Sequence, residues 1–162
     1  MNIINPFKTL FETAHLRFTS PYLLADCVTR FRKFNGIQFE GLAWKRYDLK
    51  YLRPKSPDIC EFALHVGLPR SGAYIVWGEF YATVDGRTEV VVEFEVHPWS
   101  RLTGLLIVGI IGIATIVTGL TGYGLLSPVL LLMEAFFIFL LHKTTVYART
   151  LIFDHIKTKL LM

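Results

Sequence analysis

A run of 21 residues without a charge, "LTGLLIVGIIGIATIVTGLTG" at 102–122, sets the first constraint on this chain. A helix of about 20 apolar residues crosses a hydrocarbon core about 30 Å thick. A second run, "LLSPVLLLMEAFFIFLL" at 125–141, carries one charge, Glu134. Only Tyr123 and Gly124 separate the two, so the sequence predicts a transmembrane helical hairpin over 101–143. Pro128 falls in the first turn of the second helix, where a missing N–H costs nothing. The mean hydropathy of +0.44 is high for a water-soluble domain, and the excess lies after Arg101. The competing reading, a buried hairpin in a soluble protein, is disfavoured by the length of both runs.

Charge gives the orientation. The connection "LTGYGLLSP" has no Lys or Arg, whereas Arg101 precedes the first span and Lys143, Arg149, Lys157 and Lys159 follow the second. Positive flanks favour the cytoplasmic side. The expectation is therefore a multi-pass protein of the inner, cytoplasmic membrane, with both termini cytoplasmic. The opening "MNIINPFKTLFETAH" has no apolar core of a secretory signal. Cys27 and Cys60 stand in no metal or redox spacing and are expected to be reduced and buried.

Residues 1–100 read as a cytoplasmic α+β domain, a small antiparallel sheet packed by one main helix. Asn5-Pro6 can open a short helix, and "AHLRFT" reads as a strand. "SPYLLADCVTRFRKF" is the main helix, with Ser20 as N-cap, Pro21 at the first helical position and Asn35-Gly36 as its end. "CEFALHV" alternates apolar and polar, and Asp85-Gly86 predicts a hairpin between "AYIVWGEFYATV" and "TEVVVEFEVHP". Val90, Val92, Phe94 and Val96 share one face of the last strand, and Glu89, Glu93, Glu95 and His97 the other. Residues 144–162 form a cytoplasmic amphipathic helical tail, whose Ile152, Ile156 and Leu160 can pack on the domain, the membrane surface or another chain.

Two features stand out as candidate sites. Glu134 lies near mid-span, where a charge costs several kcal/mol and a carboxylate normally faces protein and finds a partner. Thr115 of the first span stands at similar depth, and Gly104, Gly112, Gly119 and Gly122 fall on the same small-residue face, which allows close helix packing. Glu134 can thus bond within the hairpin, contact another membrane subunit, or serve as an ion relay. A relay needs polar companions at that depth, and the sequence supplies none. The second feature is the basic-aromatic segment at 44–55: Trp44, Lys45, Arg46, Tyr47, Lys50, Tyr51, Arg53 and Lys55. It holds five of the seventeen Lys and Arg and one of the thirteen acids, leaving twelve of each elsewhere. Beside a membrane, anionic headgroups or an acidic protein surface are nearer partners than nucleic acid. A solvated or edge strand is the plainer reading.

Cofactor chemistry is not indicated. His142 at the end of the second span lacks the oriented surroundings of a haem ligand, and His65, Glu93 and His97 show no metal spacing. No phosphate loop, nucleophile elbow or HExxH motif is present, and no small-molecule substrate is evident.

"HLRFTSPYLLADCVTRF", the turn in "ATVDGRTEVVVEFEVHP" and the two-span hairpin together resemble a set of small bacterial membrane proteins of unassigned activity. The resemblance implies this architecture and transfers no functional residue. The sequence therefore leads to a non-enzymatic accessory or structural subunit of a larger inner-membrane complex, for example a bioenergetic one. An anionic-lipid-binding or sensing module, and a small homo-oligomeric ion or proton pathway through Glu134, are the alternatives.

Overall fold

Strict alternation along the last strand of the domain organises the fold. The computed structural model describes residues 11–34, 36–40, 43–68, 72–121 and 126–162. Its elements run β1 (Ala14–Ser20), α1 (Leu24–Arg32), β2 (Gly36–Glu40), β3 (Ala43–Ser56), β4 (Ile59–Leu68), β5 (Gly72–Ala82), β6 (Thr88–Val96), α2 (Pro98–Leu120) and α3 (Leu126–Leu161). The six strands form one sheet in the order β1-β6-β5-β4-β3-β2, and every neighbouring pair is antiparallel. Val90, Val92, Phe94 and Val96 of β6 are buried on the face they share with Phe62, Leu64 and Val66 of β4 and with Tyr74, Val76 and Phe80 of β5. The β5–β6 hairpin turns at Asp85-Gly86, where Gly86 has φ +76°, a conformation open to glycine at no steric cost.

Two helices cover that apolar face. The first is α1, through Cys27 and Phe31, with Phe34 just beyond its end. Phe31 packs against Phe62 at 4.2 Å and Phe80 at 5.3 Å between ring centroids. The second is the distal half of α3. Ala148, Ile152, Ile156 and Leu160, spaced four apart, are completely buried in the same cluster. The segment 144–162 is thus the continuation of α3 and the second helix of the sheet layer. At 36 residues, α3 is about 54 Å long.

Ser20 is not the helix cap. It ends β1, and its hydroxyl donates to the Leu160 carbonyl at 2.5 Å. Leu23 takes the cap position without a side-chain bond, and the helix begins at Leu24. The pull of a buried, unsatisfied carbonyl at the end of α3 accounts for the change of partner. Tyr22 reinforces this closure, its hydroxyl donating to the Met162 carbonyl at 2.7 Å. Of the short helix expected to open at Asn5-Pro6, residues 5–10 lie outside the described residues, Phe11 is helical, and Ala14 already belongs to β1.

α2 and α3 are both long and apolar enough to cross a membrane. α2 follows β6 after one residue, with Pro98 in its first turn and the His97 ring accepting from the Trp99 N–H at 3.3 Å. Ser100 ties this start to β5, its hydroxyl accepting from the Ala73 N–H at 3.0 Å.

Candidate functional site

The two apolar helices meet along a seam of small residues. On α2 the positions are Gly104, Gly112 and Gly119, and on α3 they are Leu141, Glu134 and Ser127, seven apart. A Cβ at Gly104 would stand 3.4 Å from Leu141 Cδ1, one at Gly112 3.5 Å from Glu134 Oε1, and one at Gly119 3.8 Å from Ser127 Oγ. The glycine face read from the sequence is therefore the face turned to the second helix. Gly122 lies outside the described residues.

Glu134 is half-buried in this seam, its Oε1 laid against the bare backbone of Gly112. Thr115 is buried beside it, but its hydroxyl donates to the Ile111 carbonyl of its own helix at 2.9 Å. The same backward bond occupies Thr118, which donates to Ala114 at 2.9 Å. Helical threonines satisfy their hydroxyls on the preceding turn, so neither is committed to the carboxylate. Among the described residues no hydrogen bond or ion pair reaches Glu134. Around it the remaining surface is apolar: Ile110, Ile113, Ile116, Leu131, Met133 and Phe136 are all exposed.

The basic-aromatic segment lies in β3, which pairs with β4 from Arg46 to Ser56 but with β2 only from Ala43 to Tyr47, so its second half is an edge of the sheet. Its charges meet acids from the sheet around it. Arg53 bonds Glu61 directly across on β4, Lys55 reaches Glu79 of β5 at 2.7 Å, and Lys50 pairs with Asp48 at 2.5 Å. The pairing lowers the carboxyl titration of Glu79 and Asp48 below the usual range, the Lys55 and Lys50 bonds being the respective leading causes. Such exposed pairs add little stability, but they offset the charges of Lys50, Arg53 and Lys55. Arg46 is exposed. The side chains of Trp44 and Lys45 lie outside the described residues.

The two tyrosines separate. Tyr47 is 1% exposed in the core, its ring stacked on His155 at 5.2 Å. Tyr51 lies on the outer face, tilted against Trp77 at 6.3 Å, with the Arg53 guanidinium 4.9 Å from its ring centre. Four residues apart on a regular strand, they would share a face. A register shift between Leu49 and Tyr51 turns the chain over. Tyr47 is therefore a core residue.

His65 and His97 approach edge to face at 5.7 Å on the outer side. Burial, and then the charges of Lys50 and His97, push the His65 imidazole below its ordinary value. No group of three or more His, Cys, Asp or Glu residues able to hold a metal occurs among the described residues. Cys27 and Cys60 are free and buried, as expected.

Where α3 enters the sheet domain, Tyr74 of β5 and Thr145 are both buried. Burial pushes the Tyr74 phenol up to about 12, against the smaller opposing effect of the Thr145 hydroxyl bonded to it. A raised phenol contributes stability below the unfolded value near 10 and loses it as pH rises toward 12. Two units correspond to about 3 kcal/mol. The wild-type domain should lose stability between pH 10 and 12, and Tyr74→Phe should remove most of that slope in chemical denaturation run across this range.

No protein-family model, curated protein or solved structure matches the chain.

Proposed function

We propose that this chain is a non-catalytic accessory or structural subunit of a larger inner-membrane complex, a bioenergetic assembly being one candidate. The observation that carries the reading is Glu134. A carboxylate at mid-span costs several kcal/mol unless it is matched, and the hairpin offers it a glycine backbone in place of a donor. A neighbouring membrane subunit presenting a hydroxyl, amide or cationic group supplies the match.

Two further features support the reading. Both ends of the hairpin are built into one domain, β6 leading into α2 and the distal half of α3 packing on the sheet. If the helices span, the domain and the C-terminal half of α3 share one side, and the positive flanks favour the cytoplasm. The ion pairing of Lys50, Arg53 and Lys55 also takes support away from a lipid-binding role for β3. A proton or ion pathway has only one charged residue in either span to work with, Glu134 itself.

The test compares Glu134→Gln with Glu134→Leu in native membranes. An interhelical hydrogen bond in a membrane contributes about 0.6–2 kcal/mol, so Glu134→Leu should weaken co-purification of the partner about 3- to 30-fold. Glu134→Gln, which keeps a polar group, should retain more. Full assembly in both variants would make the residue irrelevant to any partner and overturn this reading.

A further inference from the structure

The sequence concentrates its net basicity in residues 44–55, where Glu61 and Glu79 of neighbouring strands offset Arg53 and Lys55. Cations without a counter-charge gather elsewhere. Arg30 in the last turn of α1, Lys33 at its C-cap and Lys159 in the last turn of α3 line one cleft, over a floor formed by Phe34. Its volume is about 330 Å³, and among the described residues no acidic side chain lines it. Among the described residues none of the three cations has an ion pair. Arg30 is held in place by the Tyr22 ring, 3.7 Å below its guanidinium carbon.

Basic residues at helix C-termini complement the helix dipole, and that alone accounts for part of the cluster. Each C-terminus supplies only about half a negative charge. Two helix ends therefore offset about one of the three cations and leave about two unmatched. A volume near 330 Å³ is the size of a small-molecule site. We propose that this cleft binds a soluble anion bearing one or more phosphate groups, with Arg30, Lys33 and Lys159 as its ligands.

Position separates a soluble anion from a lipid headgroup. Lys159 stands 18 residues beyond Leu141, the last residue of the apolar run, which is about 27 Å along the helix. The surface potential of a membrane decays over a Debye length of about 8 Å at physiological salt. With α3 running along the membrane normal, the cleft lies outside the headgroup layer. This inference is independent of Glu134 and of the identity of any partner subunit.

The experiment is calorimetric titration of inorganic pyrophosphate into the full chain, held in nanodiscs of zwitterionic lipid. One saturable site per chain is expected. Affinity should fall about tenfold or more in Lys33→Gln and in Lys159→Gln, as expected for the loss of a charge-assisted bond. Both side chains are exposed, so the melting temperature without ligand should fall only slightly, by the loss of one helix-end charge. Lys55→Gln, on the opposite face of the sheet, should bind as wild type does. Absence of saturable binding, or undiminished binding in Lys33→Gln and Lys159→Gln, would overturn the assignment. Nanodiscs containing anionic lipid should give the same affinity. Loss of pyrophosphate binding there alone would place headgroups in the cleft and overturn the soluble source.

Discussion

A stop codon after Lys143 should unfold the sheet domain, although every strand is still encoded. The truncation removes Ala148, Ile152, Ile156 and Leu160, all completely buried against the sheet. Emptying a core site of one large aliphatic side chain costs about 2–5 kcal/mol. Three such losses reach about 6–15 kcal/mol, which equals the whole stability of a typical domain, about 5–15 kcal/mol. The cut also strands the Ser20 hydroxyl, whose acceptor is the Leu160 carbonyl. The check is trypsin resistance of residues 11–97 in isolated membranes. The full chain should give a stable fragment, and the truncated chain should be degraded without one. Within the full chain, Ile156→Asp should act the same way, because it places an unpaired charge in the core. Protection equal to wild type in either variant would show that the sheet does not depend on α3.

Gly78→Ala should be the most damaging single-methyl change in the sheet. A Cβ at Gly78 would lie 2.3 Å from Cζ and 2.5 Å from Cε1 of Phe62, its cross-strand partner, and 2.6 Å from the Val91 carbonyl oxygen. Neither neighbour can give way cheaply. The Phe62 ring is buried between Phe31 at 4.2 Å and Phe80 at 4.9 Å. The Val91 carbonyl belongs to β6, which is paired on both sides. Overpacking of this kind costs about 1–3 kcal/mol, a fall of several degrees or more in melting temperature for a domain of about 100 residues. Gly109→Ala is the control, because nothing lies within 4 Å of a Cβ at that position. It should leave the domain's melting temperature unchanged. A Gly78→Ala protein melting with wild type would contradict the close ring-on-glycine packing.

The features legible in the sequence are those written in local periodicity. The two apolar runs, the Asp85-Gly86 turn and the alternation of Val90 to Val96 need only neighbouring residues to be read, and each appears in the structure. The stripe at Ile152, Ile156 and Leu160 is equally visible, but periodicity gives a face without naming what covers it. Ser20 shows why caps can mislead: its acceptor lies 140 residues away in the chain. The same holds for charge. Residues 44–55 look basic because Glu61 and Glu79 reach them only through strand register. The cleft at Arg30, Lys33 and Lys159 forms only when the two ends of the domain meet. Tyr47 and Tyr51 could be assigned to opposite faces only with the bulge between Leu49 and Tyr51 in view. Glu134 was conspicuous in the sequence as a carboxylate in an apolar run. The structure adds that its oxygen faces Gly112 and that Thr115 bonds its own helix.

The most direct test of the subunit reading is extraction of native membranes in a mild detergent, followed by size separation and mass spectrometry of co-migrating proteins. The account predicts that the chain migrates in a large assembly with at least one other membrane protein at fixed stoichiometry. Migration alone, or as a small assembly of its own copies, would contradict it.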